Sequence, residues 1–265
     1  MIDSHCHLNF NTIKNNFSQI IENAIKKNIT SILSINTKLE DFQSHYELIK
    51  NYDSIYLATG QHPEYVNKND IITVDEITLM TENNKVIGIG ETGIDLYYSN
   101  ENIKSQYRSF ENHIEASLKT NLPLIIHQRN SENEIIDVLS NYKNNSLSLV
   151  MHCFTGSKKL RNFCLDLNYF ISLSGIITFK NANDLRNIVK DIPLNLILIE
   201  TDSPFLTPAP YRGKNPNEPM YVYYICKFLA NFFNISFDEF EKITDNNFYS
   251  LFKKAVRNSK IIYKN

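Results

Sequence analysis

The strongest constraint on this chain is an alternation. Eight short apolar runs, IDSHCHL, TSILSIN, SIYLATG, KVIGIGE, LPLIIH, LSLVMH, YFISLSG and LNLILIE, recur along it with longer segments between them. Those segments, NFSQIIENAIKK, IKSQYRSFENHIEASLKT and SENEIIDVLSNY among them, place apolar residues at three- and four-residue spacing, the stripe of an amphipathic helix. Eight strands alternating with helices predict a (β/α)8 TIM-type barrel. The final stretch, PMYVYYICKFLANFF and SFDEFEKITDNNFYSLFKKAV, adds two or three C-terminal helices that close it. No Pro-, Gly- or Ser-rich linker and no repeat interrupts the pattern, so residues 1–265 read as one domain.

Charge and cysteine usage narrow the classes of function. A net charge of −2 gives no broad positive field, so a nucleic-acid partner has to be gripped locally. Lys253, Lys254, Arg257, Lys260 and Lys264 cluster in the tail and read as a solvated helix end. The four cysteines show no Cys-x-x-Cys spacing and make no disulfide scaffold, which fits a reducing cytoplasm. Neither a signal-peptide pattern nor a membrane-length apolar run is present, so neither secretion nor membrane insertion is expected. The oligomeric state stays open, a monomer included.

In a barrel of this kind the carboxyl ends of the strands converge on one mouth, where the chemistry is done. His5 and His7 end the first run, Glu91 the fourth, His127 the fifth and His152 the sixth; Asp202 lies two residues past the eighth. In an extended strand His5 and His7 share a face and Cys6 takes the other. Taken singly, His127 is an ordinary core histidine and Asp202 a turn former beside Pro204. Their joint placement makes them metal ligands. Four imidazoles and two carboxylates exceed what one catalytic zinc uses, and suit two divalent ions (Mg²⁺, Mn²⁺ or Zn²⁺) sharing a bridge. A carboxylate bridges where an imidazole cannot, which singles out Glu91.

Other residues carry two readings each. Arg129 points to the side of His127 if the strand continues, and its guanidinium fork fits a phosphate; the alternative is a surface ion pair. Arg212 and Lys214, on the loop after the eighth strand, are either phosphate contacts or part of a solvated loop. His62, in GQHP, is a candidate substrate contact, with a rigid turn at Pro63 as the competing reason for the motif. His45 and His113 fall in helical patterns and read as non-ligands, and Cys6 and Cys153 as small packed residues turned away from the metals. GIGETG lacks a Walker pattern and reads as close backbone packing beside Glu91.

The stretches MIDSHCHLN, GQHPE, IGIGETGIDLYY, PLIIHQRNSENE, MHCFTGS, FISLSGIITFKNA, IPLNLILIETDSPFLTPAPYRGK and NEP, in this order, together resemble the TatD-like metal-dependent deoxyribonucleases of the amidohydrolase-type barrels. The trailing NNFYSLF resembles that family's last helix. The resemblance implies one ion on His5, His7, Glu91 and Asp202 and a second on Glu91, His127 and His152. It implies hydrolysis of DNA phosphodiesters, as a 3′–5′ exonuclease preferring single-stranded ends. Two departures stand out: Ser131 where Thr or Ala is usual, and an extra residue in RGKNPNEP.

Two ions about 3.5 to 4 Å apart neutralise charge on the attacking and leaving oxygens of a phosphodiester. Asp202 is also placed to take the proton of the attacking water. The alternatives are a related amidohydrolase-fold enzyme cutting another ester or amide, such as an aminoacyl-tRNA, and a nucleic-acid-binding protein with structural metals. The complete ligand set and the charge of −2 weigh against the last.

Overall fold

The structure, a computed structural model, describes residues 1–264. Its eight strands are β1 (Ile2–Cys6), β2 (Ser31–Asn36), β3 (Ile55–Thr59), β4 (Val86–Asp95), β5 (Leu124–Arg129), β6 (Leu149–Met151), β7 (Phe170–Leu173) and β8 (Ile197–Ile199). They form one sheet in sequence order, and each adjacent pair from β1 to β8 is parallel. The helices are α1 (Asn11–Lys14), α2 (Phe17–Lys26), α3 (Phe42–Ile49), α4 (Val74–Thr81), α5 (Ile103–Thr120), α6 (Glu132–Ser140), α7 (Lys158–Asp166), α8 (Asn183–Val189), α9 (Val222–Phe232) and α10 (Phe237–Leu251). The chain is a (β/α)8 barrel with two further C-terminal helices, α9 and α10. No helix among the described residues is long and apolar enough to cross a membrane.

Strand residues are buried almost throughout, because one face meets the barrel interior and the other meets helices. Leu33, Ile35, Tyr56, Ala58, Ile87, Ile125, Val150 and Leu198 fill the interior with Phe248, Leu251 and Phe252 from the end of α10. The outward residues, such as Ile32, Leu57, Ile89, Ile126 and Ile171, join the apolar faces of the helices in the larger core. Helix ends carry their expected signals. Thr73 and Glu76 form a reciprocal capping box on α4, and α5 stops at Asn121 in the left-handed region, φ +57°.

The tail departs from expectation. α10 ends at Leu251 rather than running through KKAV, because Phe252 turns inward and plugs the barrel floor, fully buried. The basic residues beyond it are therefore no helix end. Lys254 Nζ donates to the carbonyls of Thr81 and Asn83 at 3.0 and 3.1 Å, and Lys264 Nζ lies 2.8 Å from Asp53. Thr81 closes α4, so Lys254 serves the unpaired carbonyls that a helix leaves at its carboxyl end.

Candidate active site

Two backbone arrangements bring the predicted residues together. The first joins the ends of the barrel: Asp202 N donates to His5 O at 2.9 Å and His7 N to Ser203 O at 2.8 Å, which puts Asp202 beside both histidines. Asp202 makes this turn in the left-handed region, φ +53°, a conformation that aspartate tolerates better than most residues. The second is the tight approach of β4 to β5. A Cβ on Gly90 would sit 2.5 Å from Ile125 O, and one on Gly93 would sit 2.1 Å from His127 O; both glycines have positive φ. Glycine is needed at both positions, as the close-packing reading of GIGETG required. Glu91 does not end its strand. β4 continues to Asp95 and β5 to Arg129: the pairing shifts register at Glu91, between Gly90 and Thr92, and resumes beyond it, so the glycines interrupt the apolar run without ending the strand.

The two carboxylate oxygens of Glu91 face different partners. Oε2 lies 3.5 Å from His5 Nε2 and 3.9 Å from His7 Nε2, and those two nitrogens lie 3.7 and 3.3 Å from Asp202 Oδ1. Oε1 lies 2.9 Å from His127 Nδ1, 3.0 Å from His152 Nε2 and 3.5 Å from His62 Nε2. Burial opposes charge on Glu91, yet His152, His62 and His127 together hold its carboxyl well below the usual range. Asp202 behaves alike: burial raises it, and His7 with its neighbours brings it below its ordinary value.

Behind the imidazoles stands a layer that the sequence reading did not name. Asp95 Oδ2 is 2.9 Å from His127 Nε2, and Glu200 Oε1 is 3.0 Å from His152 Nδ1. Glu200 is fixed in turn by Cys153 N at 2.7 Å and by the Ser172 hydroxyl at 2.6 Å. Carboxylates placed so hold an imidazole's tautomer and direct its other nitrogen at a ligand. His5, His152 and Glu200 themselves lie close enough to share a metal ion. The direct His152–Glu200 hydrogen bond and the two donors on Glu200 make Glu200 an orienting group instead. A signal for both acids was present: Asp95 ends GIGETGID and Glu200 ends LNLILIE, at the mouth end of their strands.

The donor set fits a divalent cation. His5 is 1% exposed, and neither of its ring nitrogens nor His7 Nδ1 has a hydrogen-bond partner. Buried polar atoms left this way cost on the order of 1–3 kcal/mol each unless something binds them. Burial and the His152 ring stacked at 3.8 Å lower the His5 imidazole and keep it neutral, the form that ligates metals. His7, His127 and His152 are shifted upward: burial lowers each, but the carboxylates outweigh it. The cluster calls for positive charge beside its carboxylates, which protons on these rings or a cation can supply.

A cavity of about 590 Å³ opens over the cluster, lined by His7, His62, Glu91, His127, His152 and Asp202 with Arg129, Tyr98 and Phe205 at its sides. His62 belongs to it, and burial lowers its pKa to about 3; Nδ1 accepts from Glu64 N at 3.1 Å, so the Pro63 turn and the mouth position coexist. Arg129 points into the mouth with its guanidinium 3.5 Å over the Tyr97 ring and forms no ion pair among the described residues. Arg212 and Lys214 lie outside the cavity's lining. Arg212 stacks 4.0 Å over Phe179, and Lys214 Nζ sits 5.7 Å over Tyr221. His45 and His113 are buried and bonded elsewhere, to the Ser34 hydroxyl and to Gln61 N. Cys6 packs in the outer core as expected. Cys153 does not: its φ of +45° breaks the strand alternation and brings it to the cavity wall.

An alternating barrel with imidazoles and carboxylates gathered at its mouth defines a metal-dependent hydrolase. The chain belongs to the TatD related DNase family, which it matches over residues 2–253. It is 38% identical over 257 residues to an uncharacterized metal-dependent hydrolase of Buchnera aphidicola from Baizongia pistaciae, covering 95% of this chain and 96% of that one. It is 32% identical to the metal-dependent hydrolase YcfH of Escherichia coli K12, with 95% of each covered. The crystal structure of YJJV, a TatD homolog from Escherichia coli, superposes with a TM-score of 0.86 at 26% identity, covering 96% of this chain and 98% of that one. An organophosphorus hydrolase from Deinococcus radiodurans shares the fold alone, at 12% identity and a TM-score of 0.62.

Proposed function

We propose that this protein is a two-metal deoxyribonuclease that hydrolyses DNA phosphodiesters from a strand end, as a 3′–5′ exonuclease preferring single strands. The observation that carries the reading is the division of Glu91, with Oε2 turned to His5 and His7 and Oε1 to His127 and His152. His5, His7, Asp202 and one Glu91 oxygen would hold one ion; His127, His152 and the other oxygen would hold the second. Such ions, when bound, neutralise the phosphodiester and stabilise its attacking and leaving oxygens.

The chain's own groups account for the rest. Asp202, kept ionised by its histidine neighbours, accepts the proton of the attacking water as well as serving as a ligand. Arg129, already held 3.5 Å over the Tyr97 ring, offers its N–H groups to a phosphate oxygen at little entropic cost. His62, held neutral by burial, contributes an N–H from Nε2 because its Nδ1 is an acceptor. The cavity, about 590 Å³, is the size of a single small ligand, which favours a frayed or single-stranded end over a stacked duplex.

The test is an assay with Mg²⁺, Mn²⁺ or Zn²⁺ on end-labelled single- and double-stranded DNA, RNA and an aminoacyl-tRNA. Stepwise shortening of the single DNA strand from its 3′ end is the expected result. Turnover of the aminoacyl ester alone, or preference for closed circular duplex, would overturn the reading.

A further inference from the structure

We infer that Phe205, backed by Phe10, is a stacking platform for a nucleobase beside the scissile phosphate, and that the strand continues from it into a second cavity. The inference rests on the nuclease reading above and adds a place for the base. The second cavity, of about 780 Å³, abuts the metal mouth and shares Phe10, Thr37, Tyr65 and Phe205 with it as a common lip. A strand whose phosphate sits at the histidines therefore has a continuous path outward past these four side chains.

Phe205 is half exposed, at 50%, on a backbone that is fixed: its N–H donates to Asp202 O at 2.9 Å, and its carbonyl accepts from Asn217 Nδ2. Its ring meets Phe10 edge to face at 5.7 Å, and Phe10 lies 4.9 Å from the His7 ring. The aromatic surface is thus one ring away from a candidate metal ligand. Tyr98, at 74%, is the other exposed aromatic of the metal cavity and stands edge to face on Tyr97 beside Arg129; of the two, only Phe205 also lines the second cavity. A rigid aromatic face left open at a phosphate site suits a base, since every base has a π-face.

The lining beyond the lip has the charge a strand needs. Lys14 and Lys38 are its cations and Asp41 its only carboxylate among the described residues. Lys38 Nζ is held 4.2 Å over the Tyr65 ring, at the lip itself, with Glu40 Oε1 3.9 Å away on its solvent side, which leaves Lys14 as the lining's unpaired cation among the described residues. Such a path grips a single strand locally, as a chain of net charge −2 requires.

Single-stranded oligonucleotides of one length test this, one fully base-bearing and others with a tetrahydrofuran residue in place of the terminal or the penultimate nucleotide, in Mn²⁺. Loss of one base should cost the wild-type protein about 5- to 150-fold in kcat/KM, the worth of one stacked base. Phe205→Ala should lower turnover of the base-bearing strand by a similar factor and close the gap to the abasic one, and Phe205→Trp should keep the gap open. Phe205→Leu, which preserves apolar volume without an aromatic face, gives the same reading if the alanine variant folds poorly. A gap that persists in both the Ala and the Leu variants, or a wild type that degrades base-bearing and abasic strands equally, overturns the platform while leaving the nuclease reading intact. A wild type that degrades none of the strands overturns both.

Discussion

The two ends of the barrel treat their polar groups differently. At the amino-terminal end Lys85 Nζ donates to the carbonyls of Tyr52, Asp53 and Ile55, Lys254 serves Thr81 and Asn83, Lys264 pairs with Asp53, and Phe248 and Phe252 fill the floor. At the mouth both ring nitrogens of His5 lack partners, Glu91 is ringed by imidazoles, and Phe205 stays half exposed. Cations at the floor satisfy the chain's own carbonyls and stabilise the fold. The mouth is organised around a demand the chain does not meet by itself, and such local shortfalls are where a ligand gains most.

The largest effect expected from breaking this contrast is at the bridge. Glu91→Gln removes the anion both halves of the cluster share, and should cost about a thousand-fold in turnover, the several kcal/mol that metal assistance supplies. Metal analysis should show both sites depleted; two fully occupied ions with undiminished turnover would contradict the bridging role. Next come the orienting carboxylates. Asp95→Asn and Glu200→Gln should each lower metal affinity or activity by about 10- to 100-fold. The Glu200 variant should act on the half of the cluster that holds His152, read as unequal loss of the two ions.

A smaller effect concerns buried histidines away from the mouth. Burial lowers His113 to about 4, so the folded protein refuses a proton that the unfolded chain accepts at its ordinary value near 6.5. Stability should fall as pH drops from about 6.5 toward 4, by on the order of 1 kcal/mol per pH unit from this group. Denaturant midpoints across that window, with His113→Asn flattening the slope, check it. The smallest effect belongs to the floor: Lys254→Met should lower stability by about 1 kcal/mol and leave activity within about twofold. Lost activity at unchanged stability would erase the contrast between the two ends.

Much of this division was legible in the residues. Each of the eight apolar runs holds one strand, six of them entirely, while β4 and β5 run on to Asp95 and Arg129, because buried parallel strands need little beyond short apolar stretches bounded by helices. The gathering of His5, His7, Glu91, His127, His152 and Asp202 followed from their positions at or near strand ends. Asp95 and Glu200 escaped notice although both stand at the mouth ends of their strands, because nothing in one dimension separates an acid that orients an imidazole from one that ligates. The length of β4 was hidden by its glycines, and the position of Cys153 by a backbone angle that no pattern reports. LFKKAV kept a helical spacing, yet Phe252 gains more by filling the floor than by continuing α10.

The central claim is that the mouth is a two-ion hydrolytic centre bridged by Glu91. Its most direct test is to strip the protein with a chelator, titrate Mn²⁺ back by calorimetry, and follow degradation of a single-stranded DNA end in the same samples. The account predicts two ions bound per chain and activity that appears only as both sites fill. A single ion per chain at full activity, or undiminished degradation in the chelator, would contradict it.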